Sequence, residues 1–328
     1  MILVTGGAGF IGSNLLAGLE ARGRTAVAVC DRLGQGDKWR NIARREIARF
    51  VPPDELPAFL DRHGAGLELV FHLGAISATT ETDADLIVRT NLMLSRMLWD
   101  WCAANGVRLV YASSAATYGD GAQGFDDDGT PEGLARLRPL NAYGWSKHAF
   151  DRMVARIVAE DRPAPPQWAG LKFFNVYGPN EYHKDGMLSV VERVHGQVAA
   201  GGRCNLFRSH RADVADGDQR RDFIWVDDCV DAMLWLLDNP GVSGLFNLGT
   251  GTARSFAELA GAVFAALGRT PAIDYVDMPA AIRDRYQYFT RAEVDRLRKA
   301  GYQRPFTTLE DGVRAYVQGY LEAPDRYR

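Results

Sequence analysis

A tyrosine and a lysine four residues apart are the side chains whose types and spacing best suit proton transfer. Tyr143 and Lys147 stand at positions i and i+4 of Tyr-Gly-Trp-Ser-Lys, so a helix places both on one face. A nearby ammonium stabilises a phenolate and lowers the pKa of tyrosine from its ordinary value of about 10. Ser114, in the run Ser-Ser-Ala-Ala-Thr-Tyr-Gly at 113–119, can hydrogen-bond the same substrate oxygen. Together these residues predict a base that removes the proton of an alcohol.

A glycine cluster near the start of the sequence predicts a dinucleotide site. Gly-Gly-Ala-Gly-Phe-Ile-Gly at 6–12 follows a short apolar run and precedes a helical pattern. Such a turn lets the backbone approach a pyrophosphate at a helix N-terminus. Asp31 ends the next apolar run and favours NAD by accepting a hydrogen bond from the ribose 2′-hydroxyl. Arg32 and Lys38 could instead hold a 2′-phosphate, so the residues leave NAD and NADP open.

Short apolar runs that alternate with helical stretches must position these motifs. The alternation predicts βαβ units, a parallel sheet and a Rossmann-type doubly wound α/β fold. The predicted strands are 2–5, 25–30, 67–72, 107–112 and 171–174, and the main predicted helices are 83–105 and 143–159.

The alternation changes after residue 174, which predicts a second, smaller domain of mixed α/β structure. We expect a loop over 210–221, a strand at 223–226 and a helix at 227–237. Three further helices are predicted at 255–267, 290–300 and 308–321. We predict a cofactor domain of 1–174 plus about 221–251, and a substrate domain of about 175–220 plus 252–328.

Composition excludes several classes of protein. The 328 residues carry 38 Lys and Arg against 41 Asp and Glu, without the basic surplus that nucleic-acid or polybasic membrane binding needs. We expect no signal peptide, and no apolar run approaches the roughly 18 residues of a membrane helix. The cysteines form no Cys-x-x-Cys pair, so we predict buried apolar residues, no metal site and a cytoplasmic location. They are Cys30, Cys102, Cys204 and Cys229.

The glycine turn, the 113–119 serine run and the Tyr143–Lys147 pair resemble the extended short-chain dehydrogenase/reductase family of nucleotide-sugar enzymes. Within it, segments 74–81, 171–184, 221–223, 246–251 and 285–290 are similar to the ADP-glycero-manno-heptose 6-epimerases. His183-Lys184 after Asn-Val-Tyr-Gly-Pro is the most specific part of the match. The resemblance implies inversion at C6 through a transient ketone, tightly held NADP, a role in lipopolysaccharide inner-core precursor synthesis, and a homo-oligomer.

The same resemblance implies roles for individual residues. Tyr143 and Lys184 would be acid/base groups, Ser114 would orient the oxygen, and Lys147 would bind the cofactor ribose and modulate the tyrosine pKa. The implied cofactor contacts are Gly6, Gly9, Phe10, Ile11, Gly12, Asp31, Arg32, Lys38, Leu73, Gly74, Ala75, Ile76, Ser77, Asn91, Lys147 and Asn175. The implied substrate contacts are Ser114, Val176, Lys184, Gly186, Arg193, Phe207, Arg221 and Tyr286.

Departures from the family pattern leave the exact sugar open. Asp185-Gly186 stands where the family often has Gly-Ser, Arg193 stands where it tends to have histidine, and the 208–220 stretch is long. A UDP-hexose 4-epimerase also fits the serine, tyrosine and first lysine, and it does not require Lys184. A 4,6-dehydratase is disfavoured because Ser114-Ala-Ala offers no carboxylate. A non-catalytic dinucleotide sensor is disfavoured because it needs none of these groups.

Overall fold

The largest sheet has seven parallel strands in the computed structural model, which describes residues 1–283 and 286–328. In chain order the strands are β1 (Ile2–Thr5), β2 (Val27–Cys30), β3 (Arg49–Val51), β4 (Leu69–His72), β5 (Arg108–Ser114), β6 (Trp168–Phe173), β7 (Asn175–Tyr177), β8 (Cys204–Phe207), β9 (Arg220–Trp225), β10 (Gly244–Leu248), β11 (Ala253–Ser255) and β12 (Ile273–Val276). The large sheet runs in the order β10-β6-β5-β4-β1-β2-β3.

Helices cover both faces of this sheet. The α-helices are α1 (Phe10–Ala21), α2 (Leu56–His63), α3 (Ala84–Ile87), α4 (Leu94–Asn105), α5 (Pro131–Ala135), α6 (Ala142–Ala159), α7 (Val190–Gly201), α8 (Val226–Asp238), α9 (Phe256–Ala266), α10 (Ala280–Arg283), α11 (Asp295–Lys299) and α12 (Leu309–Tyr316). Short 3₁₀-helices lie at Lys38–Ile42, Pro53–Glu55, Gly64–Gly66, Ala115–Tyr118 and Tyr182–Met187, and π-helical turns lie at Val88–Met93 and Val317–Leu321.

The central strands are apolar because both of their faces are buried. In β1, Ile2 and Val4 pack into the core that includes α1 and α8, whereas Leu3 points into the opposite core with residues of α4 and α6. This alternation is the period of two that a strand imposes on its side chains. Burial on both faces is typical of parallel sheets covered by helices.

Two smaller sheets and a third core follow the large sheet. Strand β9 pairs with β7 and β11, and β8 pairs with β12. Helices α7, α9 and α12 pack around their apolar residues. Strand β10 falls in the predicted 221–251 return segment and forms the edge of the large sheet beside β6. The exact domain division stays a prediction.

The fold class predicted from the sequence is confirmed, with differences in particular elements. The five predicted strands fall on β1, β2, β4, β5 and β6. The predicted helix over 290–300 is wrong for its first half, because the backbone of Thr290 and Ala292 bonds to Arg220 and Asp222 instead and α11 begins at Asp295.

The prediction of buried, unpaired cysteines is confirmed at all four positions. Among the described helices, none combines the length and apolar character needed to cross a bilayer. Two sequence features fall outside the described structure: Arg285, at the start of the 285–290 motif, and the side chain of Asp185.

Candidate active site

A cavity of about 500 Å³ opens where β1, β2, β4, β5 and β6 end. Ligands of doubly wound sheets bind at this carboxyl edge. The cavity brings together most of the residues singled out in the sequence. These are Gly6, Gly9, Phe10, Ile11, Gly12, Asp31, Lys38, Leu73, Gly74, Ala75, Ser77, Ser114, Tyr143, Lys147, Asn175, Val176, Lys184, Gly186 and Arg193.

The glycine turn at one end of the cavity has no room for side chains. Gly6 has a φ of +69°, and a Cβ there would lie 2.6 Å from the backbone nitrogen of Gly74. A Cβ on Gly12 would lie 2.1 Å from the carbonyl oxygen of Gly6. Helix α1 begins after Gly9, which has no side chain to cap it. The first N–H groups of α1 therefore remain available to an anion such as a pyrophosphate.

Asp31 at the end of β2 is held by three donors. Its carboxylate accepts hydrogen bonds from the backbone N–H groups of Ala8 (2.8 Å) and Arg32 (2.7 Å). Lys38 Nζ lies 2.6 Å from Asp31 Oδ1. The guanidinium of Arg32 pairs with exposed Asp54 at 2.7 Å. Of the two cations in this loop, Lys38 is the one that lines the cavity.

Helix α6 brings Tyr143 close to the strand end that carries Ser114. The Asn141 side chain caps the helix by accepting a 2.8 Å hydrogen bond from the N–H of Gly144. A Cβ on Gly144 would lie 2.7 Å from the carbonyl oxygen of Ala116, so the glycine permits this close approach. Sequence reasoning missed Gly144, although a glycine beside the tyrosine was the available signal.

Burial controls the protonation of this pair. Burial raises the pKa of Tyr143, and the neighbouring Ser114 hydroxyl only partly offsets the rise. Burial lowers the pKa of Lys147 to about 8, against the opposing charge of Asp151. The expectation of a tyrosine pKa below its ordinary value is therefore wrong, because desolvation of the phenolate outweighs the stabilisation that Ser114 gives it.

Lys184 enters the cavity from the 3₁₀-helix Tyr182–Met187. Its Nζ lies 4.1 Å from the centroid of the Phe10 ring. Burial lowers the pKa of this ammonium, and Glu181 opposes the shift. Glu181 is itself buried and accepts hydrogen bonds from the hydroxyls of Ser189 (2.6 Å) and Tyr316 (3.0 Å). A buried amine that loses its proton easily is suited to acid/base chemistry.

Six predicted contacts lie outside the lining formed by the described residues: Arg32, Ile76, Asn91, Phe207, Arg221 and Tyr286. Asn91 lies behind the wall, where its amide donates to the Ile76 carbonyl (3.0 Å) and accepts from the Ile76 N–H (2.9 Å). The guanidinium of Arg221 lies 5.2 Å from the centroid of the Tyr286 ring, which packs edge-on to Phe207. Their substrate contacts stay a prediction.

The long stretch is an irregular loop over 208–219 with its own charge pairs, and β9 begins at Arg220, one residue before the end of the loop predicted over 210–221. Arg211 pairs with Asp213 at 2.5 Å and lies over the Tyr288 ring. Arg208 lies 3.9 Å from Asp277. These are exposed contacts of the kind that contribute little to stability.

Comparisons with known proteins agree with this architecture. Residues 2–249 match the NAD dependent epimerase/dehydratase family. The chain is 49% identical over 332 residues to an ADP-L-glycero-D-manno-heptose-6-epimerase of Nitratidesulfovibrio vulgaris strain DP4, covering all of both sequences.

Two solved structures show the same fold. The Helicobacter pylori ADP-L-glycero-D-manno-heptose-6-epimerase is 26% identical with a TM-score of 0.76, over 97% of this chain and 95% of that one. The Thermus thermophilus UDP-glucose 4-epimerase, in complex with NAD, is 27% identical with a TM-score of 0.75, over 98% and 99% of the two chains.

Proposed function

The chain belongs to the NAD dependent epimerase/dehydratase family and, within it, to the ADP-L-glycero-D-manno-heptose-6-epimerases, and from this premise we propose its reaction. It inverts C6 of an ADP-glycero-manno-heptose through a transient 6-ketone, with tightly bound NADP. The observation that carries the proposal is the presence of Tyr143 and Lys184 on one cavity, with the glycine turn at its end. The product would serve lipopolysaccharide inner-core precursor synthesis in the cytoplasm.

The chemistry of C6 explains why an oxidation is needed. The C6–H bond of the heptose is not adjacent to a carbonyl, so a base alone cannot remove this proton. Oxidation of the C6 hydroxyl makes the carbon planar, and reduction from the opposite face inverts it. A bound nicotinamide dinucleotide supplies the hydride acceptor and donor for these half-reactions.

Two acid/base groups fit a reaction in which the oxygen occupies two positions. Tyr143, which lines the cavity with Ser114, takes or returns the hydroxyl proton at one position. Lys184, beside Phe10, does so at the other. Lys147 binds the cofactor ribose and, as a cation, favours the phenolate of Tyr143 when the reaction needs it. Both acid/base groups are largely desolvated, which strengthens their electrostatic interaction with the substrate.

The cofactor end of the cavity supports NADP over NAD. Asp31 already accepts three hydrogen bonds, one of them from the Lys38 ammonium at 2.6 Å. That pairing offsets the carboxylate charge which would repel a 2′-phosphate, and Lys38 can itself contact the phosphate. Lys38→Met should therefore weaken NADP more than NAD. Arg32→Met should have a smaller effect, because its guanidinium is engaged by Asp54.

Substrate turnover tests the proposed reaction. Purified protein is incubated with ADP-D-glycero-D-manno-heptose and, separately, with UDP-glucose, and the epimers are resolved by NMR. We expect C6 inversion of the heptose and release of NADP on denaturation. Turnover of UDP-glucose alone would identify a UDP-hexose 4-epimerase instead and reject the heptose assignment.

Substitution of the two acid/base groups tests their roles. Tyr143→Phe and Lys184→Met should each lower kcat by about 10²–10⁴-fold while the cofactor stays bound, since each removes one proton-transfer group. Tyr320→Phe is the matched control, because this tyrosine lies away from the cavity. A nearly full rate for Tyr143→Phe would refute its role as a base.

A further inference from the structure

Lysine is rare in this protein and concentrated at one place. The sequence contains five lysines against 33 arginines. Lys38, Lys147 and Lys184 line the cavity, and Lys299 is exposed. The fifth, Lys172, is fully buried on β6 behind the cavity wall. Because arginine is the usual cation here, a buried lysine indicates a position that uses the compact ammonium rather than a planar guanidinium.

Lys172 is bound on several sides. Its Nζ lies 3.3 Å from Asp151 Oδ2, and both side chains are 0% exposed. The ammonium also donates a 2.8 Å hydrogen bond to Thr117 Oγ1 and lies 4.6 Å from the centroid of the Tyr118 ring. A buried charge requires such partners, because desolvation costs several kcal/mol per ion.

Asp151 connects this lysine to the reacting groups. It lies on α6 one helical turn beyond Lys147 and two beyond Tyr143. Its carboxylate accepts hydrogen bonds from Ser113 Oγ (2.6 Å) and the Tyr111 hydroxyl (3.2 Å), both on β5. The aspartate therefore ties the tyrosine–lysine helix to the strand that ends in Ser114.

The charge of this one carboxylate acts on two buried ammonium groups, pairing directly with Lys172 and lying one helical turn from Lys147 on α6. Asp151 raises the pKa of Lys147 and of Lys172, whereas burial lowers both. Tyr143 precedes Lys147 by one turn of α6, and the charge of Lys147 also acts on His72 of β4. Burial, followed by the charge of Lys147, lowers the pKa of His72 to about 3, so this imidazole is neutral at pH 7.

Other titratable groups surround the Lys172–Asp151 pair. Burial raises the pKa of Tyr111 and Tyr118, and burial lowers the pKa of His148 to about 4, so these three are neutral at pH 7. Asp127 also acts on Lys172, but it is 3.6 Å from Arg296. Asp151 is thus the carboxylate through which Lys172 and Lys147 affect each other.

We propose that Asp151 and Lys172 are positioning residues of the reaction. Lys172 pairs with Asp151 and so weakens the attraction of that carboxylate for the Lys147 ammonium, and the same network fixes the Ser114 strand end against the Tyr143 helix. The proposal depends on the proposed function in one respect: it takes Tyr143, Lys147 and Ser114 as the groups that act in the reaction. It assigns Lys172 an effect on the site without any contact with substrate or cofactor.

Opposite substitutions should move Lys147 in opposite directions. Asp151→Asn removes the attracting charge, so Lys147 should lose its proton at a pH about one unit lower. Lys172→Met removes the cation that pairs with Asp151, so Lys147 should keep its proton to a pH about one unit higher. The NADP-saturated protein is titrated by NMR with ¹⁵Nζ-labelled lysine, which gives five side-chain signals to assign. The alkaline limb of the kcat profile should follow the same shifts.

Three further variants separate positioning from loss of structure. Lys299→Met should leave the Lys147 titration and kcat unchanged. Lys172→Arg keeps the charge and should leave the titration near that of the wild type while kcat falls, because the planar guanidinium displaces Thr117. The double variant Asp151→Asn/Lys172→Met removes both charges of the pair and is expected to fold even where a single variant does not.

In the double variant the Lys147 titration should match that of Asp151→Asn, because Lys172 acts on Lys147 only through the Asp151 carboxylate. Shifts in the same direction for Asp151→Asn and Lys172→Met, or no shift in either, would overturn the proposal. Failure of the proposed function is distinguishable from this result. It would appear as no heptose turnover by the wild type, whereas the NMR titration of Lys147 needs no turnover.

Discussion

Single residues around the cavity owe their protonation states mainly to burial. The pKa of Tyr143 is raised, and those of Lys147 and Lys184 are lowered, with desolvation as the first cause in each case. Desolvation disfavours whichever form is charged, so it brings an acid and two bases toward their neutral forms. Neutral forms can accept or donate protons with a smaller change in solvation, which suits a site that reverses its own half-reaction.

His72 provides a test of burial that does not involve catalysis. Its ring nitrogens lie 2.7 Å from Thr5 Oγ1 and 2.8 Å from Ser95 Oγ, and its pKa is lowered to about 3. The pKa of histidine in an unfolded chain is about 6.5. Below that pH the unfolded state binds a proton at His72, whereas the folded state does not. Stability should therefore fall from pH 6.5 toward pH 3, by about 1.4 kcal/mol per pH unit from this residue.

Urea unfolding at pH 7 and pH 5 measures this contribution. The wild type should lose about 2 kcal/mol more than His72→Asn over this interval, because asparagine has no group to protonate. The comparison between the two proteins isolates His72, since His148 and His183 titrate in both. Equal losses of unfolding free energy in the two proteins would show that protonation of the His72 imidazole does not destabilise the folded state.

The sequence predicted which reactive residues meet, but not how strongly they are desolvated. The i, i+4 spacing of Tyr143 and Lys147 is local, so it is readable without a fold. The sign of the tyrosine pKa shift depends on the elements that cover the ring, which no spacing encodes. Asp151 continues the same helix face by one turn, yet its importance depends on Lys172, 21 positions away on β6.

At the scale of elements, a π-helical turn interrupts the helix predicted over 83–105. Val88–Met93 adds one residue to the turn between α3 and α4. Asn91 within it is buried, and its amide binds both backbone groups of Ile76 and Ser146 Oγ. Such π-helical turns are rare in proteins, and those that do occur are often found at functional sites. This one ties the loop after β4 to α6, the helix that carries Tyr143.

Removal of this amide should loosen the cofactor end of the cavity. Asn91→Ala leaves the Ile76 N–H and carbonyl groups without their partner, which should destabilise the protein by about 1–3 kcal/mol and weaken cofactor binding. Asn105→Ala is the matched control, since the exposed Asn105 side chain bonds only to a carbonyl of its own helix. Calorimetric titration with NADP and urea unfolding measure the two effects. Undiminished NADP affinity in Asn91→Ala would contradict the role given to this turn.

Elements with a strong local pattern were predictable and those held by distant partners were not. Apolar runs identified β1 and β5, because parallel strands buried on both faces require such runs. Strand β3 was missed because two of its three residues, Arg49 and Phe50, are exposed and show no apolar run. Helix α11 is shorter than predicted because the residues before it bond to β9 rather than to each other.

At the scale of the whole molecule, segment 324–328 joins parts of the chain that are far apart in sequence. The N–H of Arg328 donates to Asn180 Oδ1 (3.0 Å), and its guanidinium binds Asn14 Oδ1 (3.0 Å) and Asp227. The Tyr182 hydroxyl donates to the carbonyl of residue 326 at 2.8 Å. The segment thus braces α1 and α8 against the 180–187 stretch that carries Lys184. Partners separated by up to 314 positions leave no local signal in the sequence.

This bracing predicts a long-range effect on the rate. Arg328→Gln removes the ion pair with Asp227 and weakens the bond to Asn14, so residues 180–187 should exchange backbone hydrogens faster and hold Lys184 less well. We expect kcat to fall about tenfold, equivalent to about 1.4 kcal/mol in the barrier, with NADP affinity little changed. Arg304→Gln is the matched control, because its exposed pair with Asp231 lies away from the cavity. Hydrogen exchange followed by mass spectrometry and measurement of kcat test this prediction. Faster exchange at 180–187 with an unchanged kcat would show that the position of Lys184 does not depend on this segment.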